Sequence, residues 1–317
     1  MSTQPINNGI PVIDLSPNNL EPGTPTWVRT REDVRRAMEE LGCFQAIYDT
    51  KAAEEIHSDI LAAAEELFNL PVETKSQKLS DKPYFGYFGQ HPSFPLYESL
   101  PVDHPATVEG SRGFTDAMWP SGNLKFCQSN LAFSKVVVEI DQLAMKMLTE
   151  SYRIKDSFYD EYVKSTNYVL RYFKYKAPKE DEDNMGLASH TDKSMISVLH
   201  QNHVNGLQIR TRNGVWVDAD FSPSSFIVMA GDALMAWSND IIPSCFHRVI
   251  MKETGRETRY SLGLGSIVKG TLQTPQEMCD ESRPMLYKPF DQFEYLRFYE
   301  SKPDHKPECP IKAYCGI

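Results

Sequence analysis

The chain has 317 residues, of which 41% are hydrophobic and 24% charged. That balance excludes a disordered or collagen-like polypeptide, and the length supports a full core without disulfide staples. Its 33 Lys and Arg against 43 Asp and Glu leave a net charge of −10, which argues against a nucleic-acid or anionic-membrane surface, since both need excess positive charge.

No run approaches the ~18 apolar residues of a membrane-spanning helix. The start, MSTQPINNGIPVIDLS, has no charged segment followed by an apolar one, so no secretory leader is expected. Six cysteines fall at irregular positions, 43, 127, 245, 279, 309 and 315, with no Cys-x-x-Cys pair. This usage fits free thiols in a reducing compartment, with Cys43 and Cys245 as packing residues, and a cytoplasmic location is expected.

In chain order, residues 10–15 (Ile-Pro-Val-Ile-Asp-Leu) read as a short strand. Residues 31–41 and 52–68 read as amphipathic helices, the second stopping before Leu70-Pro71. Residues 80–125 are crowded with prolines and aromatics and read as loop. Residues 128–153 are helical again, with apolar spacing through Leu131, Val137, Ile140, Leu143 and Met147. From about residue 165 the chain becomes a series of short β-rich runs, at 168–175, 195–200, 206–210, 215–217, 225–229, 247–251 and 260–265. Regularly spaced short strands indicate a mainly β core, a sandwich or jelly roll, with flanking helices. No Gly/Ser linker, internal repeat or coiled-coil heptad is present, so a single compact unit and a monomer are expected.

His190-Thr191-Asp192 is the sharpest local feature. On a strand, residues two apart point to one face, so this His and Asp can reach a common ion. His247 follows 57 residues later at the start of another expected strand. Two imidazoles and one carboxylate on one side of an ion leave positions open, as in non-haem Fe(II) oxygenases. A bland reading of His-x-Asp alone is a hydrogen-bonded surface pair. Of the other histidines, His57, His91, His104 and His305 are expected to be solvated, and His200 and His203 structural or supporting. Arg259 and Ser261 lie twelve and fourteen residues beyond His247 and share a strand face. A guanidinium with an adjacent hydroxyl is suited to clamping a carboxylate.

These residues, in order, resemble the plant Fe(II)/2-oxoglutarate-dependent dioxygenases. The resemblance is carried by Gly231-Asp232-Ala233-Leu234, Trp237-Ser238-Asn239, His247-Arg248-Val249 and Arg259-Tyr260-Ser261, with Gly206-Leu207-Gln208 and Trp216. The first half agrees through Ile10–Leu15, Gly42-Cys43-Phe44, and Phe68-Asn69-Leu70-Pro71 with Lys75. Lys174-Tyr175-Lys176-Ala177-Pro178 and Gly86-Tyr87-Phe88-Gly89-Gln90 resemble a specialised-metabolism branch. That branch includes deoxypodophyllotoxin synthase and the dioxygenases that form alkenyl glucosinolates.

The resemblance implies a cupin-like double-stranded β-helix, with a mostly helical part over 1–160, a jelly-roll core over 161–270 and a C-terminal segment over 271–317 that covers the site. It implies Fe(II) on His190, Asp192 and His247, and 2-oxoglutarate held by Arg259, Ser261 and Tyr175. Dioxygen would be consumed, and the implied chemistry leaves room for ascorbate as reductant. Phe173 stands where the family's Arg-x-Asn-x-Tyr strand has asparagine. The implied activity is hydroxylation, desaturation or ring closure of an apolar small molecule, with succinate and CO2 as co-products. Expected substrate contacts are Tyr84, Phe94, Leu96, Phe114, Met118, Trp119, Lys193, Met195 and Leu264. The alternatives are a gibberellin or auxin oxidase, a 2-oxoglutarate-independent oxidase of the same fold, and a metal-free binding protein.

Overall fold

The structure, a computed structural model, describes residues 6–317 apart from 8, 78, 180–181, 252–256 and 302–306. His305 therefore lies outside the described residues. The chain opens with β1 (Ile6–Asn7) and β2 (Ile10–Asp14), then α1 (Pro25–Leu41). This helix begins one and a half turns before the expected start at residue 31. The Thr24 side chain accepts the Trp27 N–H at 3.2 Å, and Pro25 occupies the first position, where its missing N–H costs nothing. Gly42 ends the helix at φ +72°, and an added Cβ would lie 2.4 Å from the Pro243 carbonyl oxygen. The turn therefore leads directly into β3 (Cys43–Ile47), which pairs parallel to β2.

Next come α2 (Ala53–Phe68) and the short α3 (Val72–Lys75). Residues 80–125 are not all loop, because they contain β4 (Tyr97–Asp103) and α4 (Val108–Met118). Pro101 is compatible with β4 because that strand is the edge of its sheet, where a missing N–H interrupts no ladder. Thr107 caps α4 by accepting the Gly110 N–H at 3.0 Å. The 28-residue α5 (Leu124–Ser151) starts at an Asn123 cap and is followed by α6 (Asp156–Ser165).

The β-rich half comprises β5 (Thr166–Tyr175), β6 (Met185–His190), β7 (Ile196–Gln201), β8 (Leu207–Arg210), β9 (Trp216–Asp218) and β10 (Ser225–Ala230). After α7 (Asp232–Trp237) it continues with β11 (His247–Ile250) and β12 (Arg259–Val268). The chain ends with β13 (Thr271–Leu272), β14 (Phe290–Asp291), α8 (Gln292–Glu300) and α9 (Pro310–Cys315). Among the described residues, an eight-stranded sheet runs β1-β2-β3-β10-β7-β12-β5-β4, and a four-stranded sheet runs β6-β11-β8-β9. Together they form the double-stranded β-helix, with helices on the outer face of the larger sheet.

Strand parity sorts the residues of that larger sheet. Tyr172, Val198, Leu262 and Leu264 pack with Val137, Ile140 and Ala144 of α5 in the main core. Arg259, Ser261, Phe173 and Tyr175 alternate with them and face the interior of the roll. One polar knot sits on the helical side: Asp141 of α5 accepts hydrogen bonds from Tyr162 at 2.9 Å and from Tyr168 at 2.9 Å. Complete burial pushes its carboxyl up to about 7, against the opposing pull of its hydroxyl partners.

A raised folded-state carboxyl favours folding at low pH, and that contribution is lost as pH rises from about 4 through about 7. Wild type is therefore expected to melt at lower temperature at pH 8 than at pH 5. Asp141→Asn should flatten that slope while retaining hydrogen-bond capacity, and thermal melts across this range check it. An unchanged slope would place the dependence on another group.

Candidate active site

His190 and His247 are direct partners across the antiparallel pair β6–β11, with ring centroids 4.2 Å apart. Their Nε2 atoms lie 3.8 and 3.9 Å from Asp192 Oδ1. The expected strand parity is not what brings His190 and Asp192 together. β6 ends at His190, and Asp192 lies just beyond it. The backbone there is held by α7, whose Asp232 N–H donates to the Asp192 carbonyl at 2.8 Å. Gly231 is required at this crossing, since a Cβ would lie 2.1 Å from the Ser194 carbonyl oxygen.

Tautomers follow from the outer hydrogen bonds. His190 Nδ1 is 2.8 Å from the Ala188 carbonyl, and His247 Nδ1 is 3.2 Å from the Cys245 carbonyl. Carbonyls only accept, so both Nδ1 atoms carry protons, and each Nε2 is the ring nitrogen left on the side of Asp192. Burial, then the adjacent His247, pushes His190 down to about 4, which keeps it neutral at physiological pH. Burial opposes ionisation of Asp192, but the histidines and the Ser197 hydroxyl outweigh it and hold its carboxyl below the usual range. The three residues present one donor atom each, all within 4.8 Å of one another. Two imidazoles and a carboxylate are a donor set that fits Fe(II).

Deeper in the roll, Arg259 is 2% exposed. Its Nε and Nη2 donate to Gln201 Oε1 at 3.1 and 2.7 Å, and Nη1 donates to Ser261 Oγ at 3.2 Å. The guanidinium lies 5.0 Å from the Tyr175 ring, and the two side chains are hydrogen-bonded. All of these partners are neutral. Gln201 was not singled out in the sequence; its role is visible only through the pairing of Ser261 with Gln201 across β12 and β7. Phe173, in place of asparagine, stacks on Tyr175 at 6.4 Å and lies 6.1 Å from the Tyr97 ring. It gives this wall an aromatic face.

The expected substrate contacts divide. Phe114, Met118 and Trp119 point away from the chamber. Phe114 and Trp119 pack on Phe126 at 5.8 and 4.6 Å, and all three join the helical core. Leu264 and Met195 belong to that core too, and Leu264 has the opposite parity to Arg259 and Ser261. Lys193 is no free polar contact. Its ammonium is bound to Asp232 at 2.7 Å and to the Thr191 carbonyl at 2.7 Å, under the Tyr299 ring. Leu96 packs behind Tyr175 with Val249 and Met251. Tyr84 lies 6.0 Å from Tyr299, and Phe94 is linked through Phe88 to Tyr97.

His57 is not solvated as expected. It is half-buried, with Nδ1 2.7 Å from His200 Nε2, and His200 Nδ1 in turn lies 3.0 Å from the Ser225 carbonyl. Burial lowers both histidines, so the pair is a neutral structural bridge between α2 and β7. His203, by contrast, is exposed and faces Glu257.

A double-stranded β-helix that closes two imidazoles and a carboxylate around one point, with a buried arginine deeper inside, defines a non-haem iron oxygenase. Residues 165–264 match the 2OG-Fe(II) oxygenase superfamily, and residues 10–102 match the family described as non-haem dioxygenase in morphine synthesis N-terminal. A probable 2-oxoglutarate-dependent dioxygenase, AOP1.2 of Arabidopsis thaliana, is 38% identical over 97% of this chain and 96% of its own. The 2-oxoglutarate-dependent dioxygenase AOP2 of the same plant is 28% identical over 97% of this chain and 98% of its own. The rice dioxygenase for auxin oxidation superposes with a TM-score of 0.78 at 23% identity, covering 96% of this chain and 99% of that one. The chain belongs to the plant Fe(II)/2-oxoglutarate-dependent dioxygenases.

Arg259→Lys should raise the apparent constant for 2-oxoglutarate by about tenfold or more, because a point charge cannot reproduce the planar fork on a carboxylate. Titration of 2-oxoglutarate into the metal-loaded protein checks this. An unchanged constant would place the clamp elsewhere.

Proposed function

We propose that His190, Asp192 and His247 hold the Fe(II) of this dioxygenase and that Arg259, Ser261 and Tyr175 hold the far carboxylate of 2-oxoglutarate. The reading is carried by the convergence of three lone-pair donors within 4.8 Å, with Arg259 deeper in the same roll. When bound, the iron and its co-substrate activate dioxygen, with succinate and CO2 as co-products. The chain's own part is positioning. Ala188 and Cys245 carbonyls fix the imidazole tautomers, Gln201 holds the guanidinium in its plane, and the aromatic wall of Tyr97, Phe173 and Tyr175 restricts water.

The substrate is an apolar plant specialised metabolite, which is hydroxylated, desaturated or closed into a ring. Support comes from the aromatic lining and from the branch resemblance at Lys174–Pro178. The enzyme works as a monomer in the cytoplasm, in keeping with its free cysteines and the lack of coiled-coil heptads; elution as a dimer in gel filtration would contradict the monomer. Among the described residues, no helix is long and apolar enough to cross a membrane. A second reading, a hormone-metabolising dioxygenase, is favoured by the fold shared with the rice auxin-oxidation enzyme and with JOX2 bound to 2OG, Fe and JA.

Oxygen uptake with stoichiometric succinate release is the test. His247→Ala should abolish both and lower Fe(II) affinity with little change in melting temperature, because one ligand of three is lost from a preformed site. Oxygen uptake without succinate, or normal turnover by the variant, would overturn the assignment.

A further inference from the structure

Arg171 is a second arginine on the inner face of the roll. It shares β5 parity with Phe173 and Tyr175 and is the partner of Gly263 on β12. It is enclosed by protein yet partly reachable from solvent. Its Nη1 donates to Ser99 Oγ at 3.1 Å, and its Nη2 donates to the Tyr84 carbonyl. Those acceptors are neutral, and no described carboxylate lies within ion-pairing distance. Asp192 is the acid whose field reaches it, and Asp192 is already committed to the two histidines.

A guanidinium carries five donors, and the described residues take up two of Arg171's. A charge enclosed without a counter-ion is costly in a medium of low polarity, and a bidentate oxyanion offsets that cost. The same reasoning assigns Arg259 to the carboxylate of the co-substrate. Arg171 stands four residues further along the strand from Tyr175, roughly 13 Å away, so it serves a different anion. The Tyr97 hydroxyl lies beside it, hydrogen-bonded to Ser99. Next to this cluster the inward positions of β12 are Gly263 and Gly265. A Cβ on Gly265 would meet Val169 and Ser194 at ordinary contact distances of 3.6 and 3.7 Å, whereas the space over Gly263 is taken by Leu199 and Phe173, 2.8 and 3.1 Å from an added Cβ.

We propose that Arg171, with the hydroxyls of Ser99 and Tyr97, forms an anion subsite that takes a carboxylate or sulfate group carried by the otherwise apolar prime substrate. The proposal rests on the reading of Arg259 as the co-substrate clamp and names the substrate class of that same chamber. The apolar body would lie against Phe173, with its anionic end fixed at Arg171 and the remainder directed toward His190 and Asp192.

The test is calorimetric titration of the protein loaded with 2-oxoglutarate and Ni(II), which substitutes for iron without turnover. The probes are matched pairs: phenylacetate with phenylacetamide, indole-3-acetate with indole-3-acetamide, and 2-naphthyl sulfate with 2-naphthol. At least one acid should bind about tenfold or more tightly than its neutral partner, the gain expected of a charge-assisted pair. The carboxylate and sulfate arms show which oxyanion fits. Arg171→Gln should reduce that ratio to about twofold or less, with affinity for 2-oxoglutarate retained as the control for folding, and Arg171→Lys should keep part of the preference. A bracing role for Arg171 on Tyr84 alone would move neither ratio. If no acid is preferred over its partner, or if the preference survives in Arg171→Gln, the subsite is overturned. If wild type fails to bind 2-oxoglutarate, the functional reading falls, and the subsite with it.

Discussion

Two imidazoles facing each other across one antiparallel pair of strands are the constraint on which this structure depends. The β6–β11 register places His190 opposite His247, and each ring is turned by a carbonyl two residues before it in its own chain. Asp192 then needs no regular strand beneath it. It needs a backbone held at one height, and α7 does this through the Asp232 N–H. The helices and the larger sheet form a rigid wall behind that arrangement. A shift of one residue in the β6–β11 register would send one histidine to the outer face.

The electrostatics of the roll are lopsided in an informative way. The whole chain is acidic, at −10, yet the interior face of β5 and β12 carries two guanidiniums whose described partners are neutral. Local charge inside and net charge outside therefore have opposite signs. Surface acidity would repel a small anion at long range, but at physiological ionic strength it is screened within about 8 Å. Near the floor of the chamber the arginines dominate.

Much of the site was legible in the sequence because its logic is local or periodic. Arg259 and Ser261 share a face for the reason two residues on any strand do, and His247 opens its strand as its neighbours suggest. What was not legible depends on distant partners or on direction. Lys193 reads as an available cation in the sequence, but Asp232, far along the chain, sits beside it. Phe114, Met118 and Trp119 have the composition of a pocket wall, but composition does not say which way a helix faces, and α4 turns them toward Phe126. β4 was hidden among prolines that an edge strand tolerates. The His57–His200 contact joins a helix and a strand that share no local pattern.

The penultimate helix ties down the segment that follows Asp192 without adding a side chain to the cluster. From α8, Gln292 Nε2 donates to the Lys193 carbonyl at 2.9 Å, and the Tyr295 hydroxyl donates to Asp232 at 2.5 Å. The match to the oxygenase superfamily stops at residue 264, well before this helix. A minimal catalytic fragment cut at that boundary would keep every residue assigned to iron and co-substrate, yet lose the anchor of the backbone that carries one of them. The recognisable motif thus leaves out a support that is mechanical rather than chemical.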